Sequence, residues 1–136
     1  VPKTITVKTA GPQLYAVTRD AQRYLSEIGA TNGLLTLFVQ HTSCSLVIQE
    51  NADPDVCDDL VDHFRTLAPE DAPYRHVAEG PDDMPAHIKT ALTDISVSVP
   101  VADGALSLGT WQGIYLFEHR DRPHVRNVVM TFVREG

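Results

Sequence analysis

The sequence predicts an α+β fold: a single compact domain over residues 1–136, with a mixed, largely antiparallel β-sheet and two to three helices. Three observations lead there. Strand-like and helix-like patterns alternate through the first two thirds of the chain, while the segment after Ile95 is patterned for strands alone. Parallel βαβ units need a helix in nearly every connection, so a long all-strand stretch favours antiparallel pairing. Finally, a chain of this length buries roughly two thirds of its unfolded surface in one core, without needing disulfides.

The elements follow in order. Thr4 to Lys8 alternates Ile5 and Val7 with polar residues, the period of a half-buried strand. Ala21, Tyr24, Leu25 and Ile28 fall at helical spacing, with Thr18 as the expected N-cap and Gly29 placed to end the helix in a left-handed conformation. Strands are expected from Gly33 to Val39 and from Ser45 to Gln49. Asp53 should cap a second helix with Pro54 at its first position, Val56, Leu60, Phe64 and Leu67 inward and Asp55, Asp58, Asp59 and Asp62 outward. A shorter helix starts near Asp83 and Pro85 with Ile88, Ala91 and Leu92 as its apolar face. Strands through Ile95, Val97 and Val99, from Ile114 to Glu118, and through Val128, Met130 and Phe132 complete the chain, and Gly109 to Gly113 reads as a turn with Trp111 packed inward.

Composition narrows the function. The formal charge is −7, and eleven of the eighteen acids lie between Glu50 and Asp83 beside only Arg65 and Arg75. Arg120, Arg122, Arg126 and Arg134 are the natural partners for that acidic middle. A negative chain with one Trp, four Tyr and four Phe lacks both the cationic surface and the stacking platforms of a nucleic-acid binder. No segment has the length and apolarity of a membrane span, and Cys44 and Cys57 form neither a C-x-x-C pair nor a dense disulfide framework. The expectation is a soluble cytoplasmic protein with reduced thiols.

The unusual stretch is "QHTSCSLVIQENADP", residues 40–54. His41, Thr42, Ser43, Cys44 and Ser45 separate two apolar runs where a hairpin would carry Gly, Asn, Asp or Pro. Six histidines are many for such a domain, and His41, His76, His87 and His119 lie beside polar groups near expected element ends. A catalytic zinc-type site asks for three such ligands and an open position. Their spacing matches neither H-E-x-x-H nor a finger pattern, so hydrogen-bonded structural histidines compete with a metal site. His63 reads as a solvated helix residue and His124 as part of a turn.

Glu50, Asp53, Glu79 and Glu118 are the carboxylates that could serve as acid or base, with Glu50 and Glu79 the candidate catalytic pair. Asp53 has a prior role as a cap, and Glu118 alternates with Phe117 along a strand. No G-x-S-x-G elbow surrounds Ser43, and Cys44 beside a polar loop reads first as a small packed side chain, which ranks covalent catalysis last. Neither a P-loop nor a dinucleotide fingerprint is present. A single phosphate asks for less: Thr42, Ser43, Lys89, Thr110, Gln112 and Arg120 carry the hydroxyls, amide and charges to hold one.

Three separated segments, "QHTSCSLVIQENADPDV", "YRHVAEGPDDMPAHIK" and "LGTWQGIYLFEHR", resemble in order and spacing the signature segments of the YjbQ-like family, described as secondary thiamine-phosphate synthases. The resemblance runs from Gly33 to Gly136. It implies a compact α+β subunit assembled as a homotrimer, with His41, His76 and His87 lining a polar cavity that holds a divalent metal ion, zinc or magnesium. It further implies a thiamine-phosphate synthase side activity on small phosphorylated molecules, with the principal role unassigned. Cys44 stands where the family often carries Ala, and His119 where many relatives carry Phe, so the resemblance assigns neither a role. A metal or phosphate-binding module without chemistry is the alternative.

Overall fold

The computed structural model describes all 136 residues. Strands β1 (Lys3–Thr9), β2 (Gln13–Ala16), β3 (Gly33–Val39), β4 (Cys44–Glu50), β5 (Ser96–Ala102), β6 (Ala105–Leu106), β7 (Gln112–Glu118) and β8 (His124–Arg134) surround helices α1 (Thr18–Glu27), α2 (Pro54–Leu67) and α3 (Asp83–Leu92). The α+β class and the antiparallel bias of the sequence stand. The expected single mixed sheet is two sheets, β1-β8-β3-β5-β6 and β2-β7-β4, in which every named pairing is antiparallel. The short β2 and β6 have too few residues to announce themselves by alternation.

The polar stretch 40–43 now has a structural explanation. β3 belongs to the five-stranded sheet and β4 to the three-stranded one, so the loop between them carries the chain across the molecule instead of folding it back as a hairpin. Turn residues are therefore not required. Inward residues of both sheets, Leu35, Leu37, Val39, Val99, Val128 and Met130 against Cys44, Leu46, Ile114 and Leu116, close a core with Ala21, Tyr24 and Leu25 of α1. β3 lies close to β8 because Gly33 has no side chain: a Cβ there would sit 2.1 Å from the Val133 carbonyl oxygen.

Helix ends follow local chemistry with instructive exceptions. Gly29 adopts φ +65°, closing α1 as expected. Thr18 is the first helical residue and not the cap, because its hydroxyl accepts the Ile114 N–H at 2.9 Å and is committed to β7. Asp53 caps α2 by accepting the Asp55 N–H at 2.9 Å. The face that α2 presents to Leu14, Tyr115 and Phe117 is Cys57, Leu60, Val61 and Phe64, so Leu67, expected inside, lies half exposed. β7 consequently runs between the main core and α2, and both Phe117 and Glu118 are buried although they point to opposite faces.

α3 is inverted relative to its hydrophobic pattern. Its buried residues are Asp83, Pro85, Ala86, Lys89 and Thr90, while Ala91 and Leu92 are exposed. A helix that hides its charges and shows its leucine contradicts its own periodicity, and such a conflict between local pattern and global fold is concentrated at functional sites.

Candidate functional site

Asp83 organises the inverted face of α3. One turn later on the same face is His87, and from the irregular segment before the helix comes His76; their Nε2 atoms lie 3.0 and 2.6 Å from the same Asp83 Oδ2. The other oxygen, Oδ1, accepts from Arg120 Nη1 at 2.7 Å. Arg120, just past the end of β7, also donates through Nε to Asp82 Oδ2 at 2.8 Å and through Nη2 to the Glu79 carbonyl at 3.1 Å. Asp82 and Asp83 belong to the acidic middle of the chain, so for Arg120 the expected meeting of that region with a C-terminal arginine takes place.

Burial pushes the Asp83 carboxyl upward, but the hydrogen bond from His76, with the His87 and Arg120 charges, outweighs it and holds the group below the usual carboxylate range. The same balance, with Arg120 as the main counterweight to burial, lowers Asp82. His87 Nδ1 faces the Thr42 carbonyl at 2.8 Å, so an N–H is fixed on that nitrogen and the ring orientation is set. One ligand atom each from His76, Asp83 and His87 lies within 4.8 Å of the others. Two imidazoles and a carboxylate, one imidazole held by a backbone carbonyl and the carboxylate by an arginine, are the donor types and outer support that could hold a divalent metal ion. His76 and His87 are both partly solvent-accessible, which leaves room for a further ligand.

The other residues expected at the site divide. His41 is not in the cluster: its Nε2 accepts the Asn127 N–H at 2.8 Å, so that lone pair is occupied, and burial followed by the Arg126 charge lowers its pKa. It does share a surface depression with Thr42 and His87. Glu50 is displaced altogether. Cys44 pairs with Glu118 and Glu50 with Gln112, so Glu50 stands at the far end of β4, about 20 Å along the strand from the Arg120 end at ~3.4 Å per residue. There its Oε2 accepts the Ala52 and Asp53 N–H groups at 3.0 and 2.7 Å.

Thr110 and Gln112 share that distant end. Gln112 closes its own turn by accepting the Gly109 N–H through Oε1 at 2.7 Å, and Trp111 is exposed, not packed inward. Within one chain the expected phosphate set of Ser43, Lys89, Thr110, Gln112 and Arg120 is thus divided between the two ends of β7. Ser43 is bound to Arg126 Nη2 at 3.0 Å, and Arg120 is already paired with Asp82 and Asp83, which leaves Lys89 as the cation without an ion pair. Glu79 is exposed beside the cluster, held there through its backbone.

Asp83 is the candidate ligand that reading the sequence for histidines missed. Its signal was present: Asp83 and His87 are spaced i, i+4 on an expected helix. The ion pair behind the site carried no such signal. Arg126 donates to Glu118 Oε1 at 2.7 Å from Nε, and its Nη2 bonds both Glu118 Oε2 and the Ser43 carbonyl. Glu118 also accepts the His119 and Arg120 N–H groups at 3.0 and 3.1 Å and the Thr9 hydroxyl at 2.6 Å. This sealed pair thus ties the loop that holds His87 to the backbone that holds Arg120. Cys44 is fully buried, and its thiol is pushed up to about 12 chiefly by burial, which removes it as a nucleophile. Cys57 is likewise a free thiol, and no helix is long and apolar enough to cross a membrane.

Comparison with known proteins agrees with the architecture. A UPF0047 protein of Synechocystis is 51% identical over 93% of this chain and 86% of its own. The UPF0047 protein YjbQ of Salmonella typhimurium is 41% identical over 98% and 97%. The crystal structure of a hypothetical protein from Aeropyrum pernix superposes with a TM-score of 0.90 at 33% identity over 99% of both chains. A YjbQ/UPF0047 structure from Clostridium acetobutylicum gives 0.90 at 33% identity over 96% and 99%. The family model described as UPF0047 protein YjbQ-like matches residues 3–135, and the chain belongs to that family.

Proposed function

We propose that His76, Asp83 and His87 bind a divalent metal ion, and that the protein uses it on a small phosphorylated molecule, with thiamine-phosphate synthase chemistry as the secondary activity that the resemblance implies. The observation carrying this reading is the convergence of three ligand atoms within 4.8 Å on a carboxylate already braced by Arg120. Zinc suits two imidazoles and one carboxylate; magnesium, which prefers oxygen ligands in an octahedron, suits them poorly.

The chain's own groups have definable tasks. Thr42 holds the His87 ring through Nδ1, Arg120 fixes Asp83, and the Glu118–Arg126 pair keeps both supports in register. A bound ion would contribute positive charge to a departing diphosphate or phosphoryl oxygen. Joining an aminopyrimidine-methyl diphosphate to a thiazole phosphate needs that charge, because Arg120 is already paired and Lys89 is the remaining nearby cation. Glu79, exposed beside the cluster, would be the carboxylate that exchanges a proton with substrate.

A non-catalytic metal or phosphate-binding module is the second reading, favoured by the displacement of Glu50 to the far end of β4. A second copy of the chain belongs to the proposal too. Leu34, Phe38, Val125 and Val133 share the outer face of the five-stranded sheet and are exposed, an apolar surface suited to the homotrimer that the resemblance implies.

Dialysis against zinc followed by elemental analysis tests the metal site, with about one ion per chain expected. Assay of thiamine-phosphate formation with and without a chelator then separates the two readings. No metal retained at micromolar free zinc overturns the site, and binding without metal-dependent turnover selects the module.

A further inference from the structure

Residues 69–81 belong to the longest stretch of the chain without helix or strand, the connection from α2 to α3. None of them is fully buried. Tyr74 donates to the Pro69 carbonyl at 2.6 Å and Gly80 to the Val77 carbonyl at 3.4 Å, but both bonds stay inside the segment. Gly80, at φ +105°, and Pro81 mark the joint with α3, where the Gly80 carbonyl accepts the Asp83 N–H at 3.3 Å. Polar ties to the body of the protein are few. They are the Glu70 carboxyl against Asp121, Arg120 Nη2 on the Glu79 carbonyl at 3.1 Å, and His76 on Asp83 Oδ2 at 2.6 Å. A segment with no buried side chain and so few backbone bonds opens locally at low free energy.

The three candidate ligands are therefore mounted unequally. Asp83 and His87 stand one turn apart on α3, which is packed on the fold through Ala86, Lys89 and Thr90. His76 arrives alone, on the loose segment. It also lies over the carboxylate: with the segment in place the Asp83 side chain is 2% exposed, so a hydrated ion reaches Asp83 only when the segment moves aside.

We infer that residues 69–81 are a strap that closes when His76 joins Asp83 and His87 on one ion, and opens to let the ion enter or leave. This inference rests on the proposed metal site. A ligand shifts a conformational equilibrium only by its differential affinity for the two states. The closed strap offers three ligand atoms within 4.8 Å of one another, and the open strap leaves the two on α3. The added imidazole makes the ion bind the closed form more tightly, so occupancy and closure reinforce each other.

The test is limited trypsin digestion of the full chain. Arg75 is exposed and immediately precedes His76. The other arginines outside helices and strands are Arg120, bonded to Asp82 and Asp83, and Arg122, whose following Pro123 blocks trypsin. The metal-free chain should be cut after Arg75, and saturating zinc should slow that cut by about tenfold or more. A short arginyl peptide in the same mixture reports any effect of zinc on the protease itself. His76→Gln should still take zinc, more weakly, on Asp83 and His87, yet gain no protection when saturated. Should that variant fail to fold, hydrogen exchange at the Gly80 amide of the native chain reports the same opening and must slow on adding zinc. Bound zinc with the Arg75 cut unslowed, or protection that survives in His76→Gln, overturns the strap and leaves the metal site standing. A metal-free chain that resists cutting after Arg75 also overturns it, because the segment then does not open. Absence of zinc binding removes the metal site and the strap together.

Discussion

Arg120 meets Asp83 at 2.7 Å, Nη1 to Oδ1, and by occupying that oxygen it turns the other toward both His76 and His87. The arginine thereby selects which lone pairs face the imidazoles. Asp83→Asn should abolish zinc binding measured by competition with a chromophoric chelator. Arg120→Gln, which removes only the support, should weaken it by about 10–100-fold. Equal zinc affinity in the native protein and Asp83→Asn would contradict the metal site.

Glu50→Gln should leave zinc affinity within about twofold, because the side chain stands at the opposite end of β4. Its effect should fall on stability. The carboxylate accepts two N–H groups ahead of α2, and losing the charge should cost about 1 kcal/mol in urea denaturation. A tenfold loss of zinc affinity would return Glu50 to the site.

Arg126→Met should be among the most destabilising single replacements, at about 3–5 kcal/mol, since it leaves the Glu118 carboxylate buried without its counter-ion. Glu118→Gln combined with Arg126→Met should recover part of that loss, because an amide costs less to bury than an unpaired charge. Guanidinium denaturation of the native chain, Arg126→Met, Glu118→Gln and the pair gives the comparison. An additive pair would show the two groups to be energetically independent.

Acid should destabilise the fold in two overlapping stages. His119 has an ordinary value of 6.5 and a folded value lowered to about 3, by burial first and then by the Lys89 charge, with Glu118 opposing and Arg126 adding. The unfolded chain therefore binds the extra proton between those values, so this contribution is complete above 6.5 and shrinks as pH falls toward 3. Glu118, Asp82 and Asp83 are depressed in the fold, so their contribution is present above their ordinary values of 4.5, 3.8 and 3.8 and is lost as pH falls through the folded values. His119→Phe should flatten the stability profile between pH 6.5 and the carboxylate range while leaving the lower stage in place. An unchanged slope there would mean that the histidine is accessible to protons in the folded chain.

Phe38→Glu should shift sedimentation from the assembled form to the monomer, because it puts a charge in the middle of the exposed apolar face shared with Leu34 and Val133. A native chain that already sediments as a monomer would remove the basis of the homotrimer.

What the sequence determined by itself was whatever depends on neighbours along the chain. Alternation located β1, β5 and β8, an apolar run located β3, Gly29 ended α1, and Asp53 with Pro54 opened α2, because caps and side-chain periodicity act within a few residues. It also marked His76 and His87 as unusual. The tertiary structure decided which groups meet. That β3 and β4 enter different sheets made the 40–43 loop a crossing, and the β4–β7 register put Glu50 and Gln112 at one end and Arg120 at the other. The inversion of α3, which buries Asp83 and Lys89 and exposes Leu92, runs against its hydrophobic pattern and could be read only from what packs beneath it. Convergence in space depends on strand order and register, which are set by the burial of the whole core, and no local stretch of residues encodes them.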